Sequence, residues 1–108
     1  MNPDILNIIA IANLRKSVGL TIEEFDDELK ELGNSAIKKL ILSGIHPSRV
    51  QTNDDYIKQT IIAYIRANYR YTEPNIANEN KTIFEENKNF MSSTTEYTTE
   101  LLTQEEEE

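Results

Sequence analysis

Only six residues in this chain of 108 can punctuate a backbone sharply, and they lie far apart. They are Pro3, Pro47 and Pro74, and Gly19, Gly33 and Gly44. A sandwich or barrel of short strands needs a turn every few residues, and those turns draw on Gly and Pro. Long uninterrupted helices need such residues only at their ends. The spacing therefore predicts an all-α fold, a small bundle of about four helices. A chain of this length makes one domain, which buries roughly 60–68 % of its unfolded surface and so has a modest core.

The first helix is expected to start at Pro3, with Asn2 as N-cap and Asp4 at the positive end of the helix dipole. Ile5, Ile8, Ile9 and Ala12 fall on one face, and Leu6 and Ala10 widen it. Apolar over most of its circumference, this helix should be buried in the domain or against a partner. Arg15 and Lys16 occupy its last turn, and Gly19 ends it.

Thr21 and Glu24 have the spacing of a capping box for the second helix, with Leu20 and Phe25 as a hydrophobic staple. Ile22, Phe25, Leu29, Leu32, Ala36 and Leu40 follow a three-to-four spacing. The pattern stays in phase through Gly33-Asn34-Ser35, which predicts one long helix, straight or bent at Gly33, that closes with Gly44 as the C′ residue. Residues 45–53 read as a loop. Thr52 or Asn53 can cap the third helix, whose stripe is Ile57, Ile61, Ile62, Ile65 and Tyr69. The fourth helix spans about Asn75 to Met91, where Ile76, Ile83 and Phe90 recur every seven residues beside Phe84 and Met91. Five Asn make it weak in isolation, so packing must hold it. Residues 1–93 read as the helical domain. Residues 94–108, rich in Thr and Glu and ending in four Glu, read as an acidic arm, disordered when free.

The formal charge is −8, unevenly spread. Residues 1–91 hold 13 acidic and 11 basic side chains, whereas residues 92–108 hold six Glu and no base. Such a chain offers no obvious basic patch for displacing counterions from nucleic acid. With no cysteine it has no disulfide, thiolate metal site or cysteine nucleophile. The N-terminal apolar run is broken by Asn7 and Asn13, carries Asp4 in place of a basic leader, and falls far short of the ~20 residues of a membrane span.

Catalytic equipment is missing. His46 is the only histidine, set between a helix end and Pro47, and it has no constellation around it. The acidic run Glu23-Glu24-Asp26-Asp27-Glu28 lacks calcium-loop spacing and reads as a solvated helix face. Phosphate-cradling glycine loops are absent. The residues thus point to no catalytic, cofactor-binding or metal site, and to a protein that works by binding others. Segment 21–41 deserves comparison with a DNA-binding helix-turn-helix, with Gly33 in the turn and Lys38-Lys39 on the second helix. Against it stand Leu29 where a small residue is needed, Lys39 where an apolar one is needed, and an acidic first helix. Tyr56, Tyr64, Tyr69 and Tyr71 cluster about the third helix, either as core edge or as a protein interface.

Several segments carry a resemblance, over roughly residues 4–97. They are Leu14-Arg15-Lys16 closing a short apolar helix, and Leu20-Thr21 before a helix with Asp27, Leu29, Leu32, Ala36 and Ile37 that closes at Gly44-Ile45. Then come Asp54-Asp55-Tyr56-Ile57-Lys58-Gln59 and Ile61-Ile62-Ala63-Tyr64-Ile65-Arg66-Ala67-Asn68-Tyr69. An Asn/Glu-rich helix with Ser92-Ser93 and Tyr97 follows. In this order they resemble the head–tail connector (adaptor, DNA-packaging) family of tailed bacteriophages. The resemblance implies a non-catalytic virion protein at the head–tail neck, made in the host cytoplasm. It implies a self-assembled, dodecameric ring beneath the portal protein, with a next connector (stopper) or tail protein below. DNA would pass through the channel without sequence-specific binding, past an acidic wall that repels it, and no membrane is involved. Tyr97, Leu101 and Leu102 would anchor the arm to the portal, and Tyr64, Tyr69, Ile5 and Ile9 would serve as core or subunit contacts. The alternative is a small helical DNA-binding or regulatory protein using segment 21–41.

Overall fold

Two helices end at the glycines expected to end them, and they end in the same way. Gly19 and Gly44 have φ of +77° and +113°, the left-handed region open to a residue without Cβ. In the first, Gly19 N donates to Lys16 O and Leu20 N to Arg15 O. In the second, Gly44 N donates to Ile41 O and Ile45 N to Leu40 O. Each is a Schellman closure that satisfies the last carbonyls of its helix. The computed structural model describes residues 3–100, and among them all regular structure is helical. A 3-10 turn at Ile5–Asn7 precedes α1 (Ile11–Ser17), α2 (Asp26–Leu42), α3 (Pro47–Val50), α4 (Asp55–Asn68), α5 (Pro74–Ser92) and α6 (Thr95–Thr98).

The first helix is not continuous from Pro3. Asp4 accepts from Leu6 N and caps only the 3-10 turn, Ala10 is extended, and α1 starts afresh at Ile11. The break lets Ile5, Ile9 and Leu14 all enter the core, while Leu6, Ala10 and Ala12 stay exposed. The expected Asn2 cap lies outside the described residues.

Gly33-Asn34 receives that first turn. Asn34 Oδ1 accepts from Ile5 N at 2.8 Å. A Cβ built on Gly33 would stand 2.9 Å from Ile5 Cβ and 2.8 Å from its Cδ1, closer than carbon atoms approach. The glycine that looked like an interruption is therefore a seat, and α2 runs through it without a break.

The start of α2 is later than the capping box predicts. Thr21 and Glu24 are exposed, Ile22 is 49 % exposed rather than in the stripe, and the helix begins at Asp26 with no side-chain cap. The stretch after Gly19 instead turns Leu20 and Phe25 inward against the core. Arg15 then grips Asp26 through two hydrogen bonds of 2.8 and 2.6 Å and so fixes the first residue of α2 against the end of α1. The loop expected over 45–53 contains the one-turn α3, capped by His46 Nδ1, which accepts from Ser48 N at 3.1 Å. The turn carries Val50 into the core. The cap of α4 is Asp54, not Thr52 or Asn53, and its Oδ1 accepts from Tyr56 N and Ile57 N.

Helix α4 is central, packed against both α2 and α5. Its stripe of Ile57, Ile61 and Ile65 is fully buried, in one cluster with Leu29, Ala36 and Leu40 of α2 and with Phe84 and Met91 of α5. Burial of such side chains stabilises by about 1.5–3 kcal/mol each. The Asn-rich α5 is held partly by polar pairing with α4. Tyr56 Oη donates to Asn87 Oδ1 at 3.0 Å, and Asn87 Nδ2 donates to Thr60 Oγ1 at 3.1 Å.

Candidate interaction surfaces

The segment expected to be a free arm begins as packed structure. Thr95–Thr98 forms one helical turn, and Tyr97 is only 7 % exposed. Tyr97 Oη donates to Asp54 Oδ2 at 3.1 Å, His46 N donates to Tyr97 O at 2.9 Å, and Arg49 Nε donates to Thr99 O at 2.9 Å. Burial, reinforced by the Asp54 carboxylate, pushes the Tyr97 phenol up to about 12. One carboxylate thus caps α4 with one oxygen and holds the C-terminal segment with the other. The ring of Tyr97 is an internal anchor in this chain rather than a free contact. Leu101, Leu102 and the terminal glutamates lie outside the described residues.

Helix α5 has two unlike flanks. On one, Ile76, Ile83 and Phe90 are 47, 44 and 55 % exposed, bordered by Glu79 and Glu86. On the other, a cleft of ≈ 710 Å³ runs between α5, α4 and the end of α2. Tyr64, Phe84 and Leu42 line it, and Lys39, Lys81 and Lys88 rim it. Tyr64 packs edge-on to Phe84 with centroids 5.0 Å apart. Lys88 lies 5.8 Å from the Phe84 ring and pairs with Glu85 at 2.9 Å. Leu42 is 76 % exposed at the cleft mouth, so a large apolar side chain there faces solvent without cover.

A third surface is aromatic. Phe25, Tyr69 and Tyr71 meet edge-to-face with centroids 5.6–6.0 Å apart, and Arg70 lies over Phe25 and Tyr71. Arg70 also donates to Glu28 at 2.8 Å, which raises its pKa further. Tyr69 is 6 % exposed, its hydroxyl finds no partner among the described residues, and burial raises its pKa.

Of the remaining residues singled out from sequence, Ile5 and Ile9 lie in the core, Tyr69 is buried with them and Tyr64 is half-buried at their edge. The acidic run is more than a solvated face, since Asp26 and Glu28 hold Arg15 and Arg70. The Arg15 guanidinium holds the Asp26 carboxyl below its usual range. Among the described residues no cluster of His, Asp and Glu has the arrangement of a metal site. No helix of the described residues is long and apolar enough to cross a membrane. The helix-turn-helix reading of 21–41 is overturned, because α2 is one helix from Asp26 to Leu42 where that motif requires a turn. No sequence pattern marks the Arg15–Asp26 pair, the exposed Leu42 or the Lys-rimmed cleft. The seven-residue recurrence of Ile76, Ile83 and Phe90 was the signal for an uncovered stripe, but periodicity alone does not separate an inward stripe from an outward one.

A family model described as "Phage connector protein" matches residues 11–108. No curated protein and no solved structure matches the chain.

Proposed function

The chain belongs to the phage connector protein family, and from that premise we propose that it forms a ring beneath the portal, extends the DNA channel and joins head to tail. A structural head–tail role follows from the family itself, and the resemblance read over residues 4–97 points the same way. The ring reading rests chiefly on the two unlike uncovered flanks of α5. A subunit that stood alone would leave Ile76, Ile83, Phe90 and Leu42 in water, although each is large and apolar. Subunits stabilised partly by neighbours commonly carry such surfaces.

The upper partner in this reading is the portal and the lower one a stopper or tail protein. Residues beyond 100, with Leu101 and Leu102 ahead of four Glu, are the segment that reaches the portal. Tyr97 fixes where that segment leaves the body. DNA would pass through without base-specific contact, because the body carries no basic surplus to hold phosphates.

Co-sedimentation tests the proposal. The labelled chain is mixed with DNA-filled, tailless heads of its own phage and with heads lacking the portal. The full chain is compared with one stopped at Glu100, since a stop at Ser93 would also remove the Tyr97 anchor. Binding in several copies per head, requiring both the portal and residues 101–108, is the expected result. Binding to neither kind of head would refute it.

A further inference from the structure

We infer that copies of this chain associate head to tail through the two flanks of α5, the glutamate-bordered apolar stripe of one copy entering the lysine-rimmed cleft of the next. This inference rests on the ring reading above and names the surfaces that would build the ring.

Three features carry it. The first is a shared period. Ile76, Ile83 and Phe90 are seven residues apart, and so are Glu79 and Glu86, and Lys81 and Lys88. Seven residues are close to two helical turns, so each set forms a row along α5, and the apolar row is about 21 Å long. Rows of equal period on apposed helices can stay in register over their whole length.

The second feature is unspent charge. Among the described residues Glu79, Glu86, Lys39 and Lys81 form no ion pair. The α4 cations near the stripe, Arg66 and Lys58, donate to the neutral oxygens of Ser17 (2.8 Å) and Asn53 and keep their charge. Glu79 and Glu86 thus border one edge of the stripe without an ion pair, and Arg66 and Lys58 lie along its α4 edge. Across the helix, only Glu85 answers the three lysines of the cleft.

The third feature is the apolar match. The stripe offers three large side chains, and the cleft offers the exposed Leu42 at its mouth and the half-buried Tyr64, which packs on the buried Phe84. Burying these against one another removes apolar surface from water, while oppositely charged borders set the register. An antiparallel symmetric contact of stripe with stripe would instead bring Glu79 and Glu86 of both copies together, which like-charge repulsion disfavours. Unlike patches on opposite flanks make a heterologous contact, the kind that closes into rings.

The test uses charge reversal in the full chain, read as copies bound per portal-bearing head. One variant carries E79K and E86K, the other K81E and K88E. Circular dichroism and thermal melts check that each is folded. Each variant alone should bind about tenfold fewer copies than the natural chain or less, because like charges then face each other across every contact. An equimolar mixture should recover the natural copy number. In alternating order the reversed stripe of the first variant meets the reversed cleft of the second, and their unaltered flanks meet each other. That recovery cannot come from two misfolded chains.

Failure of the mixture to recover would overturn the inference. So would full assembly by both single variants, which would leave the ring reading standing with its contacts elsewhere. Loss confined to K81E/K88E would also overturn it, and would assign the cleft to another occupant, such as the portal or the chain's own terminal glutamates. If the natural chain itself fails to bind in several copies, the ring reading falls, and this inference with it.

Discussion

Replacing Tyr97 with phenylalanine removes one oxygen and leaves the ring in place, so it isolates the hydrogen bond to Asp54. That bond is 3.1 Å long, and its acceptor is the carboxylate that also caps α4. Hydrogen bonds to charged groups contribute about 1.5–3 kcal/mol, and the length of this one places it near the low end. At neutral pH the variant should lose about 1.5 kcal/mol, roughly 5–10 °C in Tm for a domain of this size. The effect must also depend on pH. The Tyr97 phenol is raised to about 12 by burial and by the nearby carboxylate. A raised pKa means that its contribution is complete below the ordinary value of about 10 and is lost as pH rises through 12. Two units correspond to about 2–3 kcal/mol. Between pH 10 and 12 the natural chain should therefore lose that much stability relative to Tyr97→Phe, and its advantage should vanish or reverse. Urea unfolding of both chains from pH 7 to 12 measures the difference, and absorbance of the phenolate identifies the titrating group. A difference that stays flat to pH 12, or a Tyr97 phenol that ionises near 10, would refute the reasoning.

Other perturbations test the remaining joints. Gly33→Ala should destabilise by about 1–2 kcal/mol, because overpacking against Ile5 outweighs the ~1 kcal/mol gain in helix propensity. A stabilised variant in thermal melts would mean that Ile5 does not sit on α2 there. Gly44→Ala should cost about 1–2 kcal/mol in urea unfolding although the space around it is open, because φ is +113° and only the backbone conformation is penalised. Asp26→Asn should weaken the α1–α2 joint at neutral pH. Since Arg15 depresses the Asp26 pKa, the natural chain's advantage over the variant is present above about pH 3.9 and fades as pH falls through the lowered value. Paired acid titrations of stability should show the two curves converging.

Much of the architecture is a local matter and is legible in the residues. Sparse Gly and Pro force long helices. Gly19 and Gly44 end two of them because only a residue without Cβ adopts their φ cheaply. Ile57, Ile61 and Ile65 of α4 are buried as their spacing demands, with Ile62 half-buried beside them. Where tertiary contacts compete with local signals, the contacts decide. The Thr21/Glu24 capping box is a sound local pattern, yet Arg15 claims Asp26 and the helix starts there. Gly33 looks like a flaw in α2 until Ile5, 28 positions earlier, is seen resting on it. Tyr97 looks like part of a loose tail until Asp54 is found holding its hydroxyl across 43 positions. The stripe of Ile76, Ile83 and Phe90 has a period that sequence displays plainly, but which side of α5 faces α4 depends on Asn80, Phe84, Asn87 and Met91 packing first. Spacing along a helix determines which residues share a face. Only the packing of one helix on another determines which face is left for a neighbour.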